Sequence, residues 1–280
     1  MRLNRFIFLG IASTVLYGCG KDSTGVNAPP PNATVRYINA LNDTGSVDIA
    51  MIDQVEWSAY AKPLAFRAGS AYQVTDATHP RHIRVFPTST NAAVTSQIID
   101  DETITFTPGS RVTLLLTGSA RAGTAHFVMI NDDIAPPPAG QIAIRAVNAS
   151  TGAIDAYVVP RTSTAISGTP SFANVAPLAT SAYITRTAIP TNAAGAATDT
   201  VAVRATAAGS TTVAASAQGP AAPSSLPGDV FPAAGVNSQN SKFSVYYFPA
   251  GVPGSPQNAV TTAGLVWFVD RNPCDPGVAC

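Results

Sequence analysis

The chain has 280 residues, enough for one or two domains that each bury a core. Only 11% of them are charged against 46% hydrophobic, and 16 basic groups balance 16 acidic ones, which leaves neither a basic surface for nucleic acid nor an acidic tail. With 23 prolines, 21 glycines and many β-branched residues, the composition favours an all-β chain whose surface is polar but largely uncharged.

Residues 1–18 read as a signal peptide. Arg2 and Arg5 give a positive start, and Phe6 to Leu16 is an apolar stretch too short to span a bilayer as a permanent helix. Leu16-Tyr17-Gly18-Cys19 then resembles the bacterial lipobox, in which the cysteine is acylated and becomes the mature N-terminus. The resemblance makes Cys19 a lipid anchor and the membrane a partner through it. Several acyl chains on one cysteine hold firmly where a single chain binds only marginally. Gly20 stands where Asp marks inner-membrane retention, which points to the outer membrane of a bacterial cell envelope. Loss of Arg2 and Arg5 leaves 14 basic against 16 acidic groups. Residues 19–33, with Pro29-Pro30-Pro31, form a tether that reaches at most about 45–50 Å when extended.

From Thr34 the period is two. Val35 and Tyr37 alternate with Arg36 and Ile38, as on a half-buried strand. Asn42-Asp43-Thr44-Gly45 supplies a turn, and Val47 to Ile52 returns. Further strands are expected at 71–75, 82–86, 94–99, 103–107, 111–118 and 126–131, with Asp100-Asp101-Glu102 as a solvated turn whose charge protects the edge. Short strands at this spacing predict an antiparallel β-sandwich over 34–134. Residues 135–140, Ala-Pro-Pro-Pro-Ala-Gly, make a stiff linker.

A second domain is expected over 141–273, because the opening recurs. Ile144 to Val158 repeats Val35 to Met51, matching Arg36 to Arg145, Asn39 to Asn148, Gly45 to Gly152 and Asp48 to Asp155. Phe66 and Ala71-Tyr72 find Phe172 and Ala182-Tyr183, Ile83 and Val85 resemble Val201 and Val203, and the closing strands agree. The Ala/Gly/Ser/Thr/Pro-rich stretch at about 190–240 reads as enlarged loops. Residues 274–280 are a tail bracketed by Cys274 and Cys280, a disulfide pair in an exported protein or else two free thiols. The fold class is therefore all-β: two tandem antiparallel, immunoglobulin-like β-sandwiches after a lipoprotein signal peptide and flexible tether.

The strand–turn–strand pattern Val-Arg-Tyr-Ile-Asn-Ala…Gly-Ser-Val-Asp-Ile, with its repeat, resembles the domain of unknown function (DUF) 4397 family. That resemblance covers roughly 34–134 and, more loosely, 141–270. It implies a β-sandwich surface module of exported bacterial proteins, and it brings no catalytic residues with it.

The side chains that could carry chemistry are few. Asp48 and Asp155, with Asp43 or Asn39, could start a calcium site, but such a site needs six to eight oxygen ligands and no Asp-rich loop supplies them. Turn-bonding is the simpler role for these aspartates and for Asn39 and Asn148. All three histidines, His79, His82 and His126, fall in the first domain, too few for a zinc site. No Gly-x-Ser-x-Gly elbow, His-Glu-x-x-His or phosphate loop occurs, so the sequence implies neither a catalyst nor a cofactor. Trp57, Tyr60, Tyr246, Tyr247 and Trp267 could stack on sugars, although strand aromatics are usually core. The expected protein is a non-catalytic envelope module with an envelope protein or glycan as partner; a subunit of a larger periplasmic assembly and a carbohydrate-binding or hydrolytic lipoprotein are the alternatives.

Overall fold

The computed structural model describes residues 31–53, 60–132, 135–163, 165–188, 201–220 and 235–273. The first half runs β1 (Asn32–Asn39), β2 (Val47–Met51), β3 (Tyr60–Leu64), β4 (Gln73–Asp76), β5 (Arg81–Pro87), α1 (Ala92–Thr95), β6 (Asp100–Ile104), β7 (Arg111–Thr117) and β8 (His126–Asn131). In the second half come β9 (Gln141–Asn148), β10 (Ile154–Pro160), β11 (Phe172–Val175), β12 (Ile184–Thr187), β13 (Val201–Ala207), β14 (Ala215–Gln218), β15 (Lys242–Phe248) and β16 (Gly264–Arg271).

The two halves have the same topology. Sheets β4-β1-β7-β8 and β3-β2-β5-β6 in the first half correspond strand for strand to β12-β9-β15-β16 and β11-β10-β13-β14 in the second. Most pairings are antiparallel, but β1 lies parallel to β7 and β9 parallel to β15. A parallel pair cannot be joined by a tight turn, so the intervening strands of each sandwich make the crossover.

Each sandwich closes over its own core. Val35, Tyr37, Val47, Ile49, Ile83, Val85, Leu114 and Leu116 fill the first. Ile142, Ile144, Ala156, Val203, Phe243, Val245 and Trp267 fill the second. A third buried cluster belongs to neither sandwich: Ile38, Ala40, Leu115 and Ile130 meet Val147, Ala149, Tyr246, Phe248 and Phe268. The outward faces of the β1 and β9 sheets therefore cover one another. β1 is thus buried on both faces and not half-buried, and the apolar run Val-Thr-Leu-Leu-Leu of β7 is what such a strand requires.

Several local expectations change. Residues 94–99 do not form a strand; Asn91 caps α1, its Oδ1 accepting from the Ala93 N–H at 2.9 Å. Asp100-Asp101-Glu102 is an edge strand rather than a turn. β13 and β14 lie within the stretch read as enlarged loops. Met51 pairs with Ile83 and Val158 with Val203, so Val203 matches Ile83, a shift of two residues from the sequence alignment. Likewise Ile49 pairs with Ala61 and Ala156 with Phe172, so Phe172 matches Ala61 and not Phe66.

On β6 the charges alternate. Asp101 faces outward to Arg84 (2.7 Å) and His82, whereas Asp100 and Glu102 pair with the inward-facing Val85 and Ile83. Glu102 accepts from the Phe127 N–H at 3.0 Å, which joins the two sheet edges. Inward charges of this kind stop an edge from recruiting another strand. Partial burial, then the Glu102 charge beside it, pushes Asp100 up from the ordinary 3.8 to about 6, against the backbone N–H of Asp101 and the charge of His126. Folded Asp100 thus holds its proton more tightly than unfolded Asp100. Its contribution is full below about pH 4 and is lost as pH rises toward 6. Asp100→Asn is expected to raise stability at pH 7.5 by about 1 kcal/mol, after allowing for solvent screening, and by nothing near pH 3.5. Urea midpoints at the two pH values check this; an equal shift at both would contradict it.

Candidate functional site between the two halves

The repeated arginines end up together, at the contact between the sheets. Arg36 follows Val35 on β1, so its side chain leaves the sandwich core and enters the interface; Arg145 does the same from β9. Arg36 donates to the Thr113 hydroxyl through Nε (3.1 Å) and Nη2 (2.9 Å), to the Val269 carbonyl (2.8 Å) and to Asp270 (2.8 Å). Arg145 mirrors it, donating to the Ser244 hydroxyl (2.6 Å), the Asn131 carbonyl (3.0 Å) and Asp132. Each arginine thus reaches the aspartate of the opposite half, as in an isologous dimer whose two subunits share one chain.

The aspartates are held in matching ways. Thr113 and Tyr72 donate to Asp132 at 2.6 and 2.8 Å, and Ser244 and Tyr183 donate to Asp270 at 2.5 and 2.7 Å. Arg36 lies over the Tyr72 ring (4.5 Å) and Arg145 over Tyr183 (4.8 Å). Arg111 and Lys242, again counterparts, cover the same two rings. All four ionised side chains are at most 5% exposed.

Burial alone would lower the Arg36 guanidinium, but the surrounding groups, Asp132 and Asp270 among them, hold it well above its ordinary value. Arg145 rises for the same reason. Burial pushes the Asp132 carboxyl up, against Arg36, Arg145 and Thr113. Tyr72, Thr113 and Arg145 nonetheless all donate to Asp132, so the geometry serves the ionised form. The two arginine charges match the two aspartate charges, with Arg111 and Lys242 over the flanking tyrosine rings. This centre can lock two surfaces in register; enclosed on all sides, it offers no reacting atom to a substrate.

The other repeated residues are spent within their own halves. Asn39 donates to the Leu64 carbonyl and accepts from the Leu41 N–H; Asn148 bonds Gly152, Val175 and Ser150. Asp155 accepts from the Asn174 and Gly209 N–H groups at 2.7 and 2.8 Å, and Asp48 accepts from Thr88. Gly45 and Gly152 sit in open turns. Asp43 accepts from Ser119, Ala120 and Arg121, and these donors outweigh its partial burial and lower its pKa. His79 bonds Thr78, His82 meets Asp101 and His126 meets the Thr124 carbonyl, so the histidines remain apart. No group of three or more His, Cys, Asp or Glu among the described residues is placed to hold a metal ion. No helix among them is long and apolar enough to cross a membrane. Tyr246 and Trp267 are buried and Tyr247 is half-buried, whereas Tyr60 is 57% exposed. Cys19, Trp57, Cys274 and Cys280 lie outside the described residues.

Sequence reasoning found the arginines but missed their partners Asp132 and Asp270, together with Thr113 and Ser244. The signal was present: Ile130-Asn131-Asp132 and Phe268-Val269-Asp270 close the two repeats at equivalent positions. Extending the alignment past the last apolar residue of each closing strand would have paired them.

This repeated frame can be set against known proteins. Residues 33–157 match the family model for DUF4397, a domain of unknown function. The DUF4397 match takes in the first sandwich from the second residue of β1 and runs on through the linker and β9 into β10. No curated protein matches the chain.

Proposed function

We propose that the protein is a non-catalytic, lipid-anchored component of the bacterial cell envelope, whose two β-sandwich modules act as one block for adhesion or envelope interaction. The observation that carries this reading is the use made of the repeated polar residues. Arg36, Arg145, Asn39, Asn148 and Asp155 all bond other protein groups, so what the repeat preserves is a scaffold. On such a scaffold recognition falls to loops and edges. The apolar leader and Leu16-Tyr17-Gly18-Cys19 supply the anchor, and the residues between Cys19 and β1 the reach, Asn32 and Ala33 being already part of the sheet; the outer membrane is the proposed site.

Cys19→Ser is expected to abolish incorporation of labelled palmitate and to move the chain from the membrane pellet to the soluble fraction. A variant that stays in the pellet after a salt wash, or still takes up label, overturns the anchor.

A further inference from the structure

One edge distinguishes the halves. In the first half, β3 and β4 are edge strands of opposite sheets, and the Gln73 side-chain amide bridges them. Its Nε2 donates to the Tyr60 carbonyl, and its Oε1 accepts from the Tyr60 N–H at 3.2 Å. This is the pair of bonds that a neighbouring antiparallel strand makes with one residue. The side-chain amide therefore stands in for a peptide group.

The register shows what replaces it. Val35 pairs with Gln73 and Ile144 with Ile184, so Ile184 occupies the position of Gln73. Ile49 pairs with Ala61 and Ala156 with Phe172, so Ser171 occupies the position of Tyr60. Ile184 carries no amide and cannot make the bridge. Between these residues lies a cleft of about 350 Å³, lined by Ser171, Phe172, Ala173, Asn174, Ala182 and Ile184 with the turn that joins β11 to β12. None of its lining side chains is charged, and alanines make up much of the wall.

We propose that this cleft binds an extended, uncharged peptide segment of another protein, with small or β-branched side chains. Its backbone amide takes the place at β11 that the Gln73 amide fills at β3. Main-chain bonds to an edge strand supply affinity in such complexes, and shallow side-chain pockets supply selectivity. An ionic partner is disfavoured because no lining side chain is charged and the neighbouring Arg186 of β12 is engaged with the Val158 carbonyl at 3.1 Å. The proposal does not depend on the anchor at Cys19.

The full chain, isotope-labelled, is titrated with acetyl-Thr-Val-Thr-Ala-Thr-Val-amide and with a copy N-methylated at every residue. The parent peptide is expected to shift the amide signals of Ser171, Phe172 and Ala173 and to slow their exchange with solvent; the methylated copy is expected to do neither. Ile184→Gln installs the missing amide and should weaken the peptide about tenfold, the equivalent of the two hydrogen bonds it withdraws. Gln73→Ile should create a second site, read at the Tyr60 amide. No response at Ser171 to Ala173 in the unaltered chain overturns the proposal, as does equal binding of the methylated peptide or undiminished affinity in folded Ile184→Gln. If that variant does not fold, a silent Tyr60 amide in Gln73→Ile overturns it instead.

Discussion

Arg36→Met is expected to lower stability by about 3–5 kcal/mol, the usual consequence of removing one partner from a buried ion pair. Methionine roughly keeps the length and fills the volume, so little of the loss is packing. What disappears is the set of donors to Thr113, the Val269 carbonyl and Asp270, which leaves a buried carboxylate facing Arg145 only at 3.8 Å. The damage falls on the contact between halves, since Val35 and Tyr37 on the other side of β1 are untouched. Unfolding in urea should therefore split into two transitions, the Trp267 environment reporting the second half and amide exchange at Leu114 the first. Adding Asp270→Leu removes the orphaned charge and should recover more than half of the loss, because an apolar pair of similar volume is often as stable as a buried ion pair. A single-variant loss under 1 kcal/mol would mean that the centre contributes nothing to joining the halves.

The sandwiches were legible in the sequence because their information is local. Alternation in Val35 to Asn39, the turn at Asn42 to Gly45 and the buried run at Val112 to Leu116 each depend on neighbours a few residues away. The interface was not legible, for the same reason. Arg36 between Val35 and Tyr37 reads as the solvent side of a strand, and only the meeting of two outer sheet faces buries it. Asp132 stands just beyond β8, where an aspartate reads as a turn residue, and Asp270 is the penultimate residue of β16, where it reads as the solvated end of a strand. Residues 94–99 carry a strand-like apolar pattern, but Asn91 supplies a cap for one helical turn and that local bond decides. Likewise, Asp100 and Glu102 read as solvated, although an edge strand can aim charge inward at the seam. The cleft at Ile184 needed the registers of both halves, since nothing in Ile184 itself announces a missing amide.

Phe268→Ala is expected to cost about 3–5 kcal/mol, the range for truncating a buried aromatic, and again to loosen the halves before either core. Phe268 is fully buried on β16, with its ring edge-on to Tyr246 at 5.2 Å and near the Arg36 guanidinium at 5.4 Å. It also presses on Gly69, where an added Cβ would come within 2.6 Å of the ring. The pseudo-two-fold axis relates Gly69 and Phe268 to Thr180 and Ile130, so the half with the larger ring faces the position with no side chain. That exchange of volume marks a packed interface, because a loose one would not require the compensation. Gly69→Val should then be harmful alone, forcing the ring aside, and should restore part of the loss when combined with Phe268→Ala. The φ of Gly69 lies outside the left-handed region, so a β-branched residue there meets no backbone objection. Urea midpoints for the two single variants and the double variant form the test. Strict additivity would show that the two residues do not share a contact, and that the halves are joined by the charged centre alone.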